Sequence, residues 1–140
     1  MRIETPNTVL NSVTQVSGSR LCVVGILNWD FENRELLHWP KTERNQDIYQ
    51  SSLWIDDPSE PFGLNEETLR KWSGKKVAIE GEIRAAHEAF GTGHMGLWRA
   101  EIKPVRIDLF KDWLPSHPEY KKQQAAVPDS ARVARRIRNA

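Results

Sequence analysis

Residues 91–96 read Gly-Thr-Gly-His-Met-Gly, a match to the G-x-G-x-x-G pattern whose glycines let a backbone close on a pyrophosphate. That chemistry needs a strand before the pattern and a helix N-terminus after it. Leu97 to Ile102 instead alternate as a strand does, so the glycines mark a hairpin loop rather than a nucleotide site. The four histidines are His38, His87, His94 and His117. Only His87 and His94 are near neighbours, seven apart with Glu88 beside the first, and a zinc site wants four ligands at closer spacing. Neither a metal nor a cofactor is expected. Asp56 and Asp57 form a carboxylate pair, but Asp-Asp-Pro at a strand end is turn chemistry. With no nucleophile elbow, phosphate loop or zinc-protease helix, no enzymatic activity is expected.

The aromatic residues carry more. Six tryptophans in 140 residues is a high content. Trp72 and Trp98 fall on faces that read as core, and Trp113 follows the last strand, where it can pack over a barrel end. Trp29, Phe31, Trp54, Phe90 and His94 fall in turns, loops or on an outward strand face. Rings exposed at such places stack on bases or anchor a protein partner.

The elements that position these residues follow from periodicity. Thr5 caps a short helix with Pro6 in its first turn and Val9, Leu10 and Val13 on one face. Arg20 to Asn28 is a strand apolar on both faces, interrupted by Gly25 as at a bulge or sharp coil. Glu35 to Trp39 returns antiparallel and Ile48 to Ile55 forms a third strand. Asn65 caps a helix with Glu66 and Glu67 in its first turn, Leu64 and Leu69 as a hydrophobic staple and Gly74 at its end. Lys76 to Arg84 alternates with Val77, Ile79, Gly81 and Ile83 on one side. Leu97 to Leu109 is the last strand. Trp98, Ala100 and Ile102 point inward, Pro104 breaks the register, and Val105, Ile107 and Leu109 resume the alternation.

Length suits one domain, with residues 1–19 as a lead segment, 20–110 as a barrel and 111–140 as a basic, loosely attached tail. Up to residue 118 there are 14 Lys/Arg against 17 Asp/Glu, and after it 6 against 2. The single cysteine, Cys22, lies in an apolar run and reads as a buried thiol. No secretory signal is visible and no apolar run is long enough to cross a bilayer, so a cytoplasmic location away from membranes is expected.

Three strands, a helix and two strands give a mainly β fold with a small five-stranded barrel. Leu53-Trp54-Ile55-Asp56-Asp57 resembles the end of the third strand in many OB domains. Trp72-Ser73-Gly74-Lys75-Lys76-Val77-Ala78-Ile79-Glu80-Gly81 resembles their passage from helix to fourth strand. The resemblance is to the OB-fold superfamily, spans residues 20–109, and leaves another small open barrel of SH3-like type as the competitor. It implies a binding face on strands two and three, flanked by the first hairpin and the loop between the last two strands. That face would carry Trp29, Phe31, Trp54, Phe90 and His94.

Two functions are expected from this arrangement. One is binding of single-stranded nucleic acid, with bases stacked on those rings. Phosphates would be met by Arg99 and Lys103 and by the tail residues Lys121, Lys122, Arg132, Arg135, Arg136 and Arg138. The other is a protein-interaction module, such as an accessory subunit, inhibitor or immunity-type protein, using the same face with the tail as a docking arm. A small-molecule or oligosaccharide site is a further reading.

Overall fold

A computed structural model describes residues 2–30, 32–58, 63–87 and 91–120. The fold is mainly β. Strand β1 (Ile3–Glu4) is followed by helices α1 (Pro6–Asn11) and α2 (Val13–Val16), then β2 (Arg20–Trp29), β3 (Arg34–Leu37) and β4 (Ser52–Ile55). Helix α3 (Glu66–Trp72) leads to β5 (Lys76–Ala85) and β6 (Ala100–Leu109), and a short α4 (Phe110–Trp113) closes the series. Strands β2, β3, β4, β6 and β5 pair in that order, and β5 returns to β2, closing a five-stranded barrel. All of these pairings are antiparallel except β4 with β6.

Alternation along each strand sends Leu27, Leu36, Leu53, Ile55, Val77, Ile79, Ile83 and Ile102 into the barrel. Gly25 lies where β2 passes from its β5 partners to its β3 partners; a Cβ there would meet the Leu37 carbonyl oxygen at 2.5 Å. The expected bulge falls between Glu80 and Gly81 opposite β6. It leaves Val105 unpaired and exposed, so the inward alternation resumes at Ile107 and not at Val105.

Both helix caps form as their residues dictate. The Thr5 side chain accepts from Thr8 N, with Pro6 in the first turn. Asn65 Oδ1 accepts from Thr68 N at 2.9 Å. Val9, Leu10 and Val16 add to the barrel core, and β1 pairs parallel with β2 at Cys22 and Val23.

Two strands are shorter than their patterns imply. The strand expected over Glu35 to Trp39 is Arg34–Leu37. In the strand expected over Ile48 to Ile55, the first half is a 3-10 turn, Ile48–Ser51. Asp47 caps that turn by accepting from Tyr49 N, which spends the amide a ladder would have used. The last strand begins at Ala100, after a turn at His94–Gly96.

The outer face of β2 and β5 is also covered. Ile3, Cys22, Val24 and Ala78 lie beneath Trp113, with Phe110, Leu114 and Tyr120 packed around it. Cys22 is buried as expected, and burial pushes its thiol up to about 12.

Candidate functional site

Cross-strand register builds the candidate face. Asn28 pairs with Glu35, Glu35 with Trp54, and Trp54 with Glu101, making a row across β2, β3, β4 and β6. Their chain neighbours Leu27, Leu36, Leu53, Ile55 and Ile102 point into the core, so this row points outward.

The row does not lie open. The segment 91–98 crosses over it. Thr92 Oγ1 donates to Glu101 Oε2 at 2.9 Å. At Gly93 (φ +78°) a Cβ would stand 2.6 Å from the Trp54 ring and 2.7 Å from the Trp98 ring, so only glycine fits. The Trp98 indole donates from Nε1 to Glu35 Oε2 at 3.0 Å. The other Glu35 oxygen accepts from Asn28 Nδ2 at 2.8 Å. Trp54 tilts against Trp98 with ring centroids 4.8 Å apart, and Tyr49 meets it edge-on at 5.0 Å. Trp98 is 1% exposed and Glu35 5% exposed, although neither faces the barrel interior. Arg44 donates from Nε to the His38 carbonyl at 2.7 Å. Burial holds its guanidinium below the usual range, while the nearby Glu35 charge acts in the opposite direction.

The expected site residues therefore divide. Trp29 is a correction: it is 7% exposed and cannot offer a stacking face. Asp30 Oδ1 accepts from the amides of Glu32 and Asn33, so the hairpin turn starts after Trp29 and the ring stays in β2. Its indole donates to Glu66 Oε2 at 2.9 Å and Arg34 lies over it at 5.0 Å. Trp54 is on the outer face as expected, but covered in part by Gly93 and Trp98. Trp98, expected in the barrel interior, is buried against the outer face instead. His94 is exposed at the loop turn. Arg99 is exposed and donates to Gln50 Oε1 at 2.9 Å. Lys103 pairs with Asp56 at 3.6 Å. Phe31, Phe90, Lys121, Lys122, Arg132, Arg135, Arg136 and Arg138 lie outside the described residues.

Sequence reasoning did not single out Glu35, Asn28, Tyr49 or Glu101. A Glu in an alternating strand reads as solvated, and nothing local shows that a loop 60 residues later covers it. It also passed over the apolar side chains left in solvent beside this face. Met95 is 81% exposed with φ +59°, and Leu97 and Ile48 are exposed as well. Tyr49 on Trp98 and Gln50 on Arg99 bring the segment bearing Ile48 against the loop bearing Met95 and Leu97.

An open groove of about 540 Å³ lies elsewhere, with Leu64, Trp72 and Ile107 among its lining. The charges at its rim are matched in pairs, Arg20 with Glu80 and Arg106 with Asp108. Among the described residues, no three His, Cys, Asp or Glu side chains are grouped to hold a metal ion, and no helix is long and apolar enough to cross a membrane. No protein-family model matches the chain, and no curated protein matches it.

Proposed function

We propose that the chain is a non-enzymatic OB-type binding module whose ligand is a protein. The strand order, with its one parallel pair β4–β6 closing the barrel after a helix, supports the OB assignment. In that arrangement the ligand face is the outer surface of β3 and β4 with the β2–β3 and β5–β6 connections at its sides.

One observation carries the choice of ligand class. Among the described residues of this face, Trp98 and Trp29 are buried and Trp54 is half-buried beneath Gly93 and Trp98, while Met95, Leu97 and Ile48 stand in solvent. Stacking of bases needs open ring faces, and phosphate binding needs free cations. Arg34 is paired with Asp57 and Glu66, each at 3.1 Å, Lys103 with Asp56, and Arg44 and Arg99 with oxygen acceptors. Exposed Met, Leu and Ile with Arg and His at the rim suit a protein interface. The single-stranded nucleic-acid reading keeps the basic residues after position 119 as its support.

Labelled single-stranded DNA and RNA, titrated at low and moderate salt against the full chain, separate the two. So does affinity capture by the full chain beside a Met95→Glu/Leu97→Glu variant. The expected result is no salt-sensitive nucleic-acid binding, and one discrete protein captured by the parent chain and lost by the variant. Salt-sensitive nucleic-acid binding that the variant retains would reverse the assignment.

A further inference from the structure

Glu35 is a nearly enclosed carboxylate whose direct partners are two neutral donors, Asn28 Nδ2 at 2.8 Å and Trp98 Nε1 at 3.0 Å. Enclosing a charge is costly unless hydrogen bonds replace its water. A face closed only for stability takes apolar residues, as the β2–β5 face does with Cys22, Val24 and Ala78. Around the Trp98 ring the walls are Trp54 and Tyr49, and the Gly93 backbone of its own loop lies against it. These surfaces outline a slot for a flat ring with an N–H donor at its edge.

The occupant, Trp98, precedes β6 and arrives from a loop joined to itself through the Thr92–Trp98 bridge. Gly91, Gly93 and Gly96 all have positive φ, and so does Met95, where a side chain makes that conformation unfavourable.

We infer that the Glu35 slot is a recognition site for the indole of a tryptophan presented by a partner polypeptide, and that Trp98 fills it as an internal ligand until the partner displaces it. This rests on the reading of the chain as a protein-binding module. Exchange of one indole for another preserves the hydrogen bond to Glu35 and the contacts with Trp54 and Tyr49. The displacement then costs the rearrangement of the loop, which partner contacts with Met95 and Leu97 can offset. A polypeptide indole is favoured over a nucleobase because the slot is seen holding one, and because Glu101 on the adjoining β6 would repel a phosphate.

The test uses the full chain carrying Trp98→Ala, titrated calorimetrically with 3-methylindole and with 3-methylbenzofuran, a ring of the same shape without the N–H. Saturable binding of the indole is expected, with the benzofuran at least about tenfold weaker, since a hydrogen bond to a charged group is worth about that ratio or more. Equal affinities, or no binding by a folded variant, would overturn the inference. Gly93→Ala gives a second route in which every ring is retained: its methyl group collides with Trp54 and Trp98 and unseats the loop. That variant should bind N-acetyltryptophanamide more tightly than the parent chain, in proportion to the rise in the fraction of molecules whose slot is open. Unchanged binding counts against the slot. If the captured protein partner survives while both ring experiments fail, the slot is wrong and the protein-binding reading stands.

Discussion

Two outer faces of one barrel are covered by tryptophan, and they are built on opposite principles. On the β2–β5 face, Trp113 lies over Ile3, Cys22, Val24 and Ala78, an apolar floor. His117 stacks on its other side at 4.2 Å, and Phe110 and Tyr120 complete the cluster. On the β3–β4 face, Trp98 is held to a carboxylate by a directed hydrogen bond, and that carboxylate also accepts from the Asn28 amide. Apolar contact is non-directional and scales with area, so the first cover acts as a second core. A directed bond to an enclosed charge specifies the identity of the ring.

The largest difference between the faces should appear in stability. Trp113→Ala removes a large side chain from an apolar cluster, and we expect a loss of about 3–5 kcal/mol in the denaturant-unfolding free energy. Glu35→Ala leaves the buried Trp98 donor without its acceptor, while half-buried Asn28 can turn to water, and a smaller loss of about 1–3 kcal/mol is expected. An equal or larger loss for Glu35→Ala would make the two faces alike.

The thiol beneath Trp113 sharpens the comparison through pH. Burial raises the folded-state value of Cys22 to about 12 from 9.0. The unfolded chain therefore releases this proton first. The stabilising contribution is complete below pH 9 and is lost as pH rises towards 12, by about 1.4 kcal/mol per pH unit. Unfolding of the parent chain and of Cys22→Ala, compared at pH 8 and pH 10, should show the parent losing more. Parallel losses would mean that the thiol is not enclosed.

The smallest effect is expected at Lys76. Its ammonium lies 4.0 Å from the Phe110 ring centroid and 5.7 Å from those of Trp39 and Tyr120, and burial lowers its pKa. Cation–π attraction and the cost of desolvation oppose each other. Lys76→Met should change stability by no more than about 1 kcal/mol in thermal unfolding. A larger loss would give this apolar face a charged anchor after all.

Local rules made much of the fold legible. Asn65 and Thr5 are caps because their side chains meet the free amides of a first helical turn, and these contacts need no knowledge of the rest of the chain. The alternation of Val77, Ile79 and Ile83 placed β5 on the core for the same reason. The candidate face was legible only in part. Trp54 was placed outward correctly, because strand period is local. Trp98 was carried inward because the same period was extended back from Ala100 into residues outside β6, where Trp98 is bridged to Thr92 instead. Its partner Glu35 is 63 residues away, and Gly93 approaches two rings from a third segment. Such contacts belong to the closed barrel, and no local spacing encodes them. Trp29 is buried by a contact that is not local either, its indole donating to Glu66, 37 residues further along the chain.

Amide hydrogen exchange of the full chain tests most directly whether one cover is removable and the other fixed. Thr92 and Trp98 each donate an amide to the other's carbonyl, at 2.9 and 3.1 Å, while the Cys22 amide, under Trp113, donates to the Arg2 carbonyl at 3.1 Å. The account predicts that Thr92 and Trp98 exchange through a local opening, well ahead of Cys22, which should open only with the whole barrel. Protection of Thr92 and Trp98 equal to that of Cys22 would contradict it: the β5–β6 loop would then be as permanent a part of the core as Trp113.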